Sequence, residues 1–138
     1  MKILLYYVGK ARDQHSNAIA EEFIKRSTRY AKCEMREIHP ERFDLWTKHS
    51  TATKLLLDPQ GAAWDSARFT AQVKSCEDDA RDLVLVIGGS DGLPSAWRSK
   101  GTLVALSPMT MPHELARAVL AEQIYRALTT LRGHPYPR

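Results

Sequence analysis

The residues best equipped for chemistry in this 138-residue chain fall into three short stretches. The tail Gly133-His134-Pro135-Tyr136-Pro137-Arg138 offers an imidazole, a phenol and a guanidinium, with two prolines limiting their motion. Such groups can orient a base, grip a phosphate or take a proton, although a histidine near a chain end is more often simply solvated. Gly88-Gly89 follows the apolar run LVLVI, and paired glycines let backbone come close where any Cβ would collide. Ser107 to Pro112 follows the run LVAL and opens a helix with His113 beside its start. Free N–H groups converge where a strand's carboxyl end meets a helix's amino end, so both loops are candidate ligand sites in an α/β protein. A glycine pair at a strand end is equally an ordinary tight turn.

The same residues exclude several chemistries. No G-x-G-x-x-G follows the LVLVI strand, and the Lys and Ser/Thr of a phosphate-binding loop are missing, so both nucleotide readings drop. His15, His39, His49, His113 and His134 show no metal spacing, and no Ser-His-Asp or Cys-His pairing is defensible. No metal is expected. Cys33 and Cys76 are far apart and read as reduced, structural thiols of a cytoplasmic protein. Twenty Lys and Arg against sixteen Asp and Glu give a net charge of +4 and a pI near 9.2, a weak vote for a nucleic-acid partner against the plainer reading of a mixed, solvated surface. The first apolar run, ILLYYV, is too short for a signal peptide or a membrane span, which leads us to expect a soluble, cytoplasmic protein without a membrane partner.

The elements that must position these groups follow from hydrophobic patterning. Length bounds the chain to a single domain over 1–138. Ile3 to Val8 reads as a central strand, Cys33 to Ile38 as an alternating one, Lys54 to Asp58 as a third halted by Pro59 and Gly61, Leu83 to Ile87 as the most apolar, and Leu103 to Leu106 as a buried fifth. Between them, Asp13 to Tyr30 reads as a helix burying Ile19, Phe23 and Ile24. A second helix, capped by Asp65 or Ser66, buries Phe69, Val73 and Cys76. Helical turns are expected at Arg42 to Lys48 and at Pro94 to Arg98. In the terminal helix Thr110 is the expected N-cap and Pro112 sits in the first turn. Ala116, Leu120, Ile124, Ala127, Leu128 and Leu131 form its apolar stripe, and Arg117, Glu122 and Arg126 fall off it. The alternation predicts an α/β domain with a largely parallel sheet of about five strands flanked by helices.

VIGGSDGL, LSPMTMPHELARAVLAEQIYRA and GHPYPR, with MKILLYYVGK at the start and LLLD followed by GAAWDS in the middle, resemble the RlmH family of the SPOUT superfamily, the knotted RNA methyltransferases. The resemblance covers most of the chain. It implies a SPOUT-type fold with a C-terminal trefoil knot, in which the last strand and helix are threaded through a loop. It further implies an S-adenosylmethionine-dependent enzyme that methylates N3 of a pseudouridine in 23S ribosomal RNA on the assembled ribosome, working as a homodimer packed through the terminal helix. Carried over position by position, the cofactor would lie against Leu57, Gly89, Ser107, Pro108, Met109, Thr110, Met111 and Pro112. His134, Tyr136 and Arg138 would be the catalytic group, with Tyr136 and Arg138 holding the base and its phosphate and His134 accepting the proton. Two departures stand out. Pro137 occupies the place of a second histidine in the family's H-P-Y-H tail, so that histidine's role cannot be carried over, and most of a helix is missing between Ile38 and Lys54. Two other readings follow: a homologue that binds cofactor or ribosome with weakened turnover, and a SPOUT methyltransferase acting on another RNA such as tRNA.

Overall fold

Leu83–Ile87, five consecutive buried residues, forms the middle strand of a five-stranded sheet. In chain order the strands are β1 (Lys2–Val8), β2 (Lys32–Ile38), β3 (Thr53–Ala63), β4 (Leu83–Ile87) and β5 (Thr102–Ala105), arranged β2-β1-β4-β3-β5. Every pairing is parallel, as the continuous apolar runs predict, because a strand buried on both faces leaves no polar side to alternate. The computed structural model describes residues 1–136; Pro137 and Arg138, and with them the role expected of Arg138, lie outside the described residues.

The helices divide between the two faces. α1 (Gln14–Ser27), α3 (Ser66–Asp78) and α5 (His113–Leu131) cover one side with Ala20, Ile24, Phe69, Val73, Leu120, Ile124 and Leu128. The short α2 (Leu45–Lys48) and α4 (Ser95–Arg98) cover the other with Leu45, Trp46 and Trp97 against Leu4, Tyr6, Leu56, Val84 and Val86. Each fully buried Leu, Ile or Val contributes about 1.5–3 kcal/mol, so the two layers together hold the sheet. Asp65 starts α3 by accepting from the Arg68 N–H at 2.8 Å, as its residue type suggests. Between Ile38 and Lys54 the chain holds only a 3-10 turn at Pro40–Arg42 and the four residues of α2, capped by Asp44. Cys33 and Cys76 are buried free thiols, and burial pushes the Cys33 thiol up to about 12.

Four expectations are corrected. The third strand does not halt at Pro59: β3 pairs with β4 through Leu57, then breaks register and rejoins β5 at Ala62 and Ala63. Proline cannot donate to a ladder, so it forces an irregularity rather than an end, and the Asp58 carboxylate turns back to accept from the Gln60 N–H at 2.8 Å. Ile19 is 49% exposed, and α1 instead buries Ser16, Asn17, Ala20, Ile24 and Ser27. Thr110 does not cap α5; Pro112 holds that position with extended dihedrals and no side-chain cap bond. Arg117, expected off the apolar stripe, is fully buried.

Gly61 sits where β3 rejoins β5, and a Cβ there would lie 2.5 Å from the backbone carbon of Leu103 and nitrogen of Val104. Backbone cannot move aside as a side-chain tip can. Gly61→Ala should therefore lower unfolding stability by about 1–3 kcal/mol in urea titrations, the usual cost of overpacking. A loss below about 0.5 kcal/mol would mean that the β3–β5 junction spreads freely.

Candidate cofactor cleft

Because the strands are parallel, the carboxyl ends of β3, β4 and β5 open on one side. Leu57 pairs with both Ile87 and Val104, which sets the ends of these three strands side by side as a floor. Above it lies a cleft of about 260 Å³ walled by three segments: Leu57 to Pro59, Ile87 to Leu93, and Leu106 to Ala116. Its size is near the lower end of small-molecule sites, and its mix of apolar side chains and loop backbone suits an amphipathic ligand. A neighbouring cleft of about 270 Å³, shared at Leu57 and Leu106, is lined by Trp64, Phe69, Val119 and Leu120 between α3 and α5. The first cleft is the better site, since only there do loop amides and carbonyls gather.

Each wall is braced. Arg98 of α4 holds Asp58 by an Nε–Oδ2 contact of 2.7 Å and Gln60 by an Nη2 bond of 2.9 Å, fixing the tip of β3. The turn after β4 closes with Gly92 N–H donating to the Gly89 carbonyl at 3.0 Å. Its glycines answer to this turn first: a Cβ on Gly88 would meet the Gly92 backbone at 2.7 Å, and one on Gly89 the Val8 carbonyl oxygen at 3.0 Å. In the third wall Ser107 Oγ accepts from the Met109 N–H at 3.0 Å. Met109 itself is 78% exposed, so its apolar chain waits at the mouth of the cleft. Of the residues expected around a cofactor, Leu57, Gly89, Ser107, Met109, Thr110 and Met111 line the cleft, whereas Pro108 and Pro112 are exposed supports of the loop.

A group the sequence did not disclose anchors that loop. The Glu114 carboxylate, in the first turn of α5, accepts from the N–H groups of Arg12 at 2.6 Å and Asp13 at 3.1 Å and from Asn17 Nδ2 at 2.9 Å. These bonds, the Arg12 amide above all, hold its carboxyl down to about 2. Arg117, one turn on, donates to Asn17 Oδ1 and lies 3.6 Å from the centroid of the Tyr7 ring, with Glu114 at 3.9 Å. Burial lowers the guanidinium's pKa, but an arginine stays charged. Its Nε and Nη2 are buried with no hydrogen-bond partner. The only hint in the sequence is the Glu114–Arg117 spacing of one helical turn, which looks like any surface pair.

The tail lies elsewhere. Tyr136 Oη donates to Glu122 at 2.7 Å, its ring packs edge-on against Tyr125 at 4.7 Å, and Arg126 sits over it at 5.6 Å. Burial and the Glu122 bond raise its pKa, so the phenol is a donor and not a base. His134 Nδ1 accepts from the Tyr136 N–H at 3.1 Å, and its ring faces Tyr30. Helix α5 has 19 residues, about 28 Å of rise, and the tail folds back only to Glu122, about 13 Å along from His113. One chain therefore does not bring His134 and Tyr136 to the cleft.

A family model described as "Predicted SPOUT methyltransferase" matches residues 1–137. The chain belongs to the SPOUT methyltransferase family. It is 63% identical over 139 residues to a Solibacter usitatus protein named ribosomal RNA large subunit methyltransferase H, covering all of both chains. It is 41% identical over 152 residues to a protein of the same name from an Anaeromyxobacter species, covering 99% of each. Among solved structures, a probable methylase family protein from Haemophilus influenzae aligns with a TM-score of 0.59 at 10% identity, over 99% of this chain and 70% of that one. A putative methyltransferase from Legionella pneumophila in complex with SAM aligns with a TM-score of 0.54 at 13% identity, over 92% and 66%. These last two likenesses establish the fold.

SPOUT methyltransferases use S-adenosylmethionine, and the cleft offers the apolar floor and loop backbone that such a molecule would need. Leu57, Ile87 and Leu106 would offer an apolar bed for adenine, and loop amides and carbonyls its polar edge. Among the described residues no group of His, Cys, Asp and Glu could hold a metal, and no helix is long and apolar enough to cross a membrane.

The Glu114 anchor has a pH signature. Its carboxyl, held near 2 against an ordinary 4.5, adds stability that is complete above about 4.5 and is lost as pH falls toward 2. Glu114→Gln should melt below the parent protein at pH 7, with the gap closing between about pH 4.5 and pH 2, and should bind S-adenosylmethionine more weakly. Melting curves taken in pH steps check this; a gap that does not change with pH would remove Glu114 from the anchor.

Proposed function

We propose that the protein methylates N3 of a pseudouridine in 23S ribosomal RNA on the assembled ribosome, and that it works in the cytoplasm as a homodimer. The observation that carries this reading is the cleft at the outlets of β3, β4 and β5, in a chain whose relatives are named for ribosomal RNA methylation. Bound there, S-adenosylmethionine supplies an electrophilic methyl group. What remains for the protein is to hold the base in line, keep water away and let one N–H proton leave.

The distance between cleft and tail supports a dimer. In a two-fold contact through α5, the tail of one chain comes to the cleft of the other, since an isologous interface exchanges its two ends. The apolar surface left open supports the same arrangement. Met109, Leu115 and Ile19 are the large exposed hydrophobic residues among those described, and Glu114 and Asn17, their near neighbours in sequence, are bonded together by the cleft. Their exposure in a single chain is relieved when a second covers them. In the complete site Tyr136, a neutral phenol, donates to the base or its phosphate. Arg138 pairs with phosphate through its planar fork, and His134 takes the N3 proton. The trefoil threading implied by the family resemblance belongs to this proposal too, with the three wall segments as its crossing loops.

Transfer of labelled methyl groups to ribosomes from a strain lacking its own enzyme tests the activity; cofactor binding without product would favour a binding role. The shared site has a sharper test. Gly89→Val distorts the cleft wall, since its Cβ meets the Val8 carbonyl oxygen, and Tyr136→Ala removes the phenol, so each homodimer should be inactive. Mixed, they should recover about a quarter of the parent activity: half the dimers are hybrid, and each hybrid keeps one intact cleft facing one intact tail. No recovery would show that cleft and tail act within one chain.

A further inference from the structure

Lysines line the end of the sheet opposite the cleft. Parallel strands bring all their amino ends together, and the register sets Lys2 of β1 against Lys32 of β2. Lys54 lies near the start of β3, level with Val84, and Lys100 sits just ahead of β5. Alternation along the strands puts Lys2 and Lys54 on the side of Leu4 and Leu56, the face covered by α2 and α4. Lys48 ends α2 on that same face. From β1 to β5 there are three gaps between neighbouring strands, so Lys2 and Lys100 stand roughly 14 Å apart across the sheet.

Aromatic rings lie among these cations. The Lys54 and Lys100 ammonium groups are each 5.8 Å from the centroid of Trp46, and Lys48 is 5.2 Å from that of Phe43. Both rings are half-buried, leaving part of each surface open. Among the described residues, Lys2, Lys32, Lys48, Lys54 and Lys100 form no ion pair. The two carboxylates close by are engaged with backbone, Asp82 with the Lys2 N–H at 2.8 Å and Asp44 with the Thr47 N–H at 3.2 Å. His49, bonded to the Tyr6 hydroxyl at 2.8 Å, has its pKa lowered by burial first and then by Lys48, with Lys54 and Lys2 adding and Asp82 opposing. Lys48, Lys54 and Lys2 thus act together at His49, with Asp82 partly opposing them.

We propose that this lysine rim is a second RNA contact, which holds the phosphate backbone of ribosomal RNA away from the nucleotide being methylated. The proposal rests on the ribosomal RNA reading above. Ammonium groups on long stems suit a backbone that presents phosphates at varied angles.

The triple variant K48Q/K54Q/K100Q tests this. Its binding to large ribosomal subunits and to protein-free 23S RNA is measured across a salt series beside the parent chain. The slope of log affinity against log salt should become shallower by about 3, roughly one per lysine, on both RNAs. Affinity for S-adenosylmethionine should not change. If the triple variant loses cofactor affinity, K100Q, at an exposed position, carries the test with a slope change of about 1. An unchanged slope overturns the rim. So does a loss confined to whole subunits, which would assign the lysines to an acidic ribosomal protein. A parent chain that binds RNA without methylating it sinks the catalytic reading and leaves the slope comparison intact, while one that binds no ribosomal RNA sinks both.

Discussion

The buried guanidinium of Arg117 is the constraint on which the rest depends. It is fully enclosed, shares Asn17 with the Glu114 carboxylate and lies on the Tyr7 ring, so the end of β1, the start of α1 and the start of α5 meet at one charge. A buried ion is tolerated only when its neighbours compensate it, so removing one of them leaves a less compensated charge inside the fold. The result is specificity of position. The Ser107–Pro112 loop ends where α5 begins, and Glu114 ties that start to the amides of Arg12 and Asp13.

The sheet was legible in the sequence because its strands carry their signal locally. Ile3 to Val8 and Leu83 to Ile87 are continuous apolar runs, and only a parallel sheet covered on both faces accounts for such runs in a chain of this length. The face of α3 at Phe69, Val73 and Cys76 was legible for the same reason, since helical spacing is a local property. β3 misled because Pro59 and Gly61 mark an ending in most chains; here a long-range neighbour, β5, takes the strand up again. Ile19 misled because hydrophobicity says what a residue prefers and not where its helix turns.

The site was legible as loops and illegible as a constellation. Strand outlets rich in glycine and proline flagged Gly89 and the run from Ser107 to Met111, and of these Gly89, Ser107, Met109, Thr110 and Met111 do share one cleft. Arg117 escaped because an arginine inside a helix is normally solvated, and nothing local announces that Tyr7 and Asn17 will receive it. The distance from the cleft to Tyr136 escaped too, being set by the whole length of α5. Family resemblance implied the roles, and the length of α5 sets the separation that the proposed dimer would bridge.

The order in which the chain is made gives the anchor another meaning. Synthesis runs at roughly 5–20 residues per second, so Glu114 leaves the peptidyl centre on the order of 5–20 seconds after Asn17. Throughout that interval the Arg12 and Asp13 amides and the Asn17 side chain lack the acceptor that orders them. A truncated chain ending before α5 holds the Ser107–Pro112 loop but lacks the acceptor that anchors it. The start of α5 is thus fixed against α1 only after nearly a hundred further residues have been made.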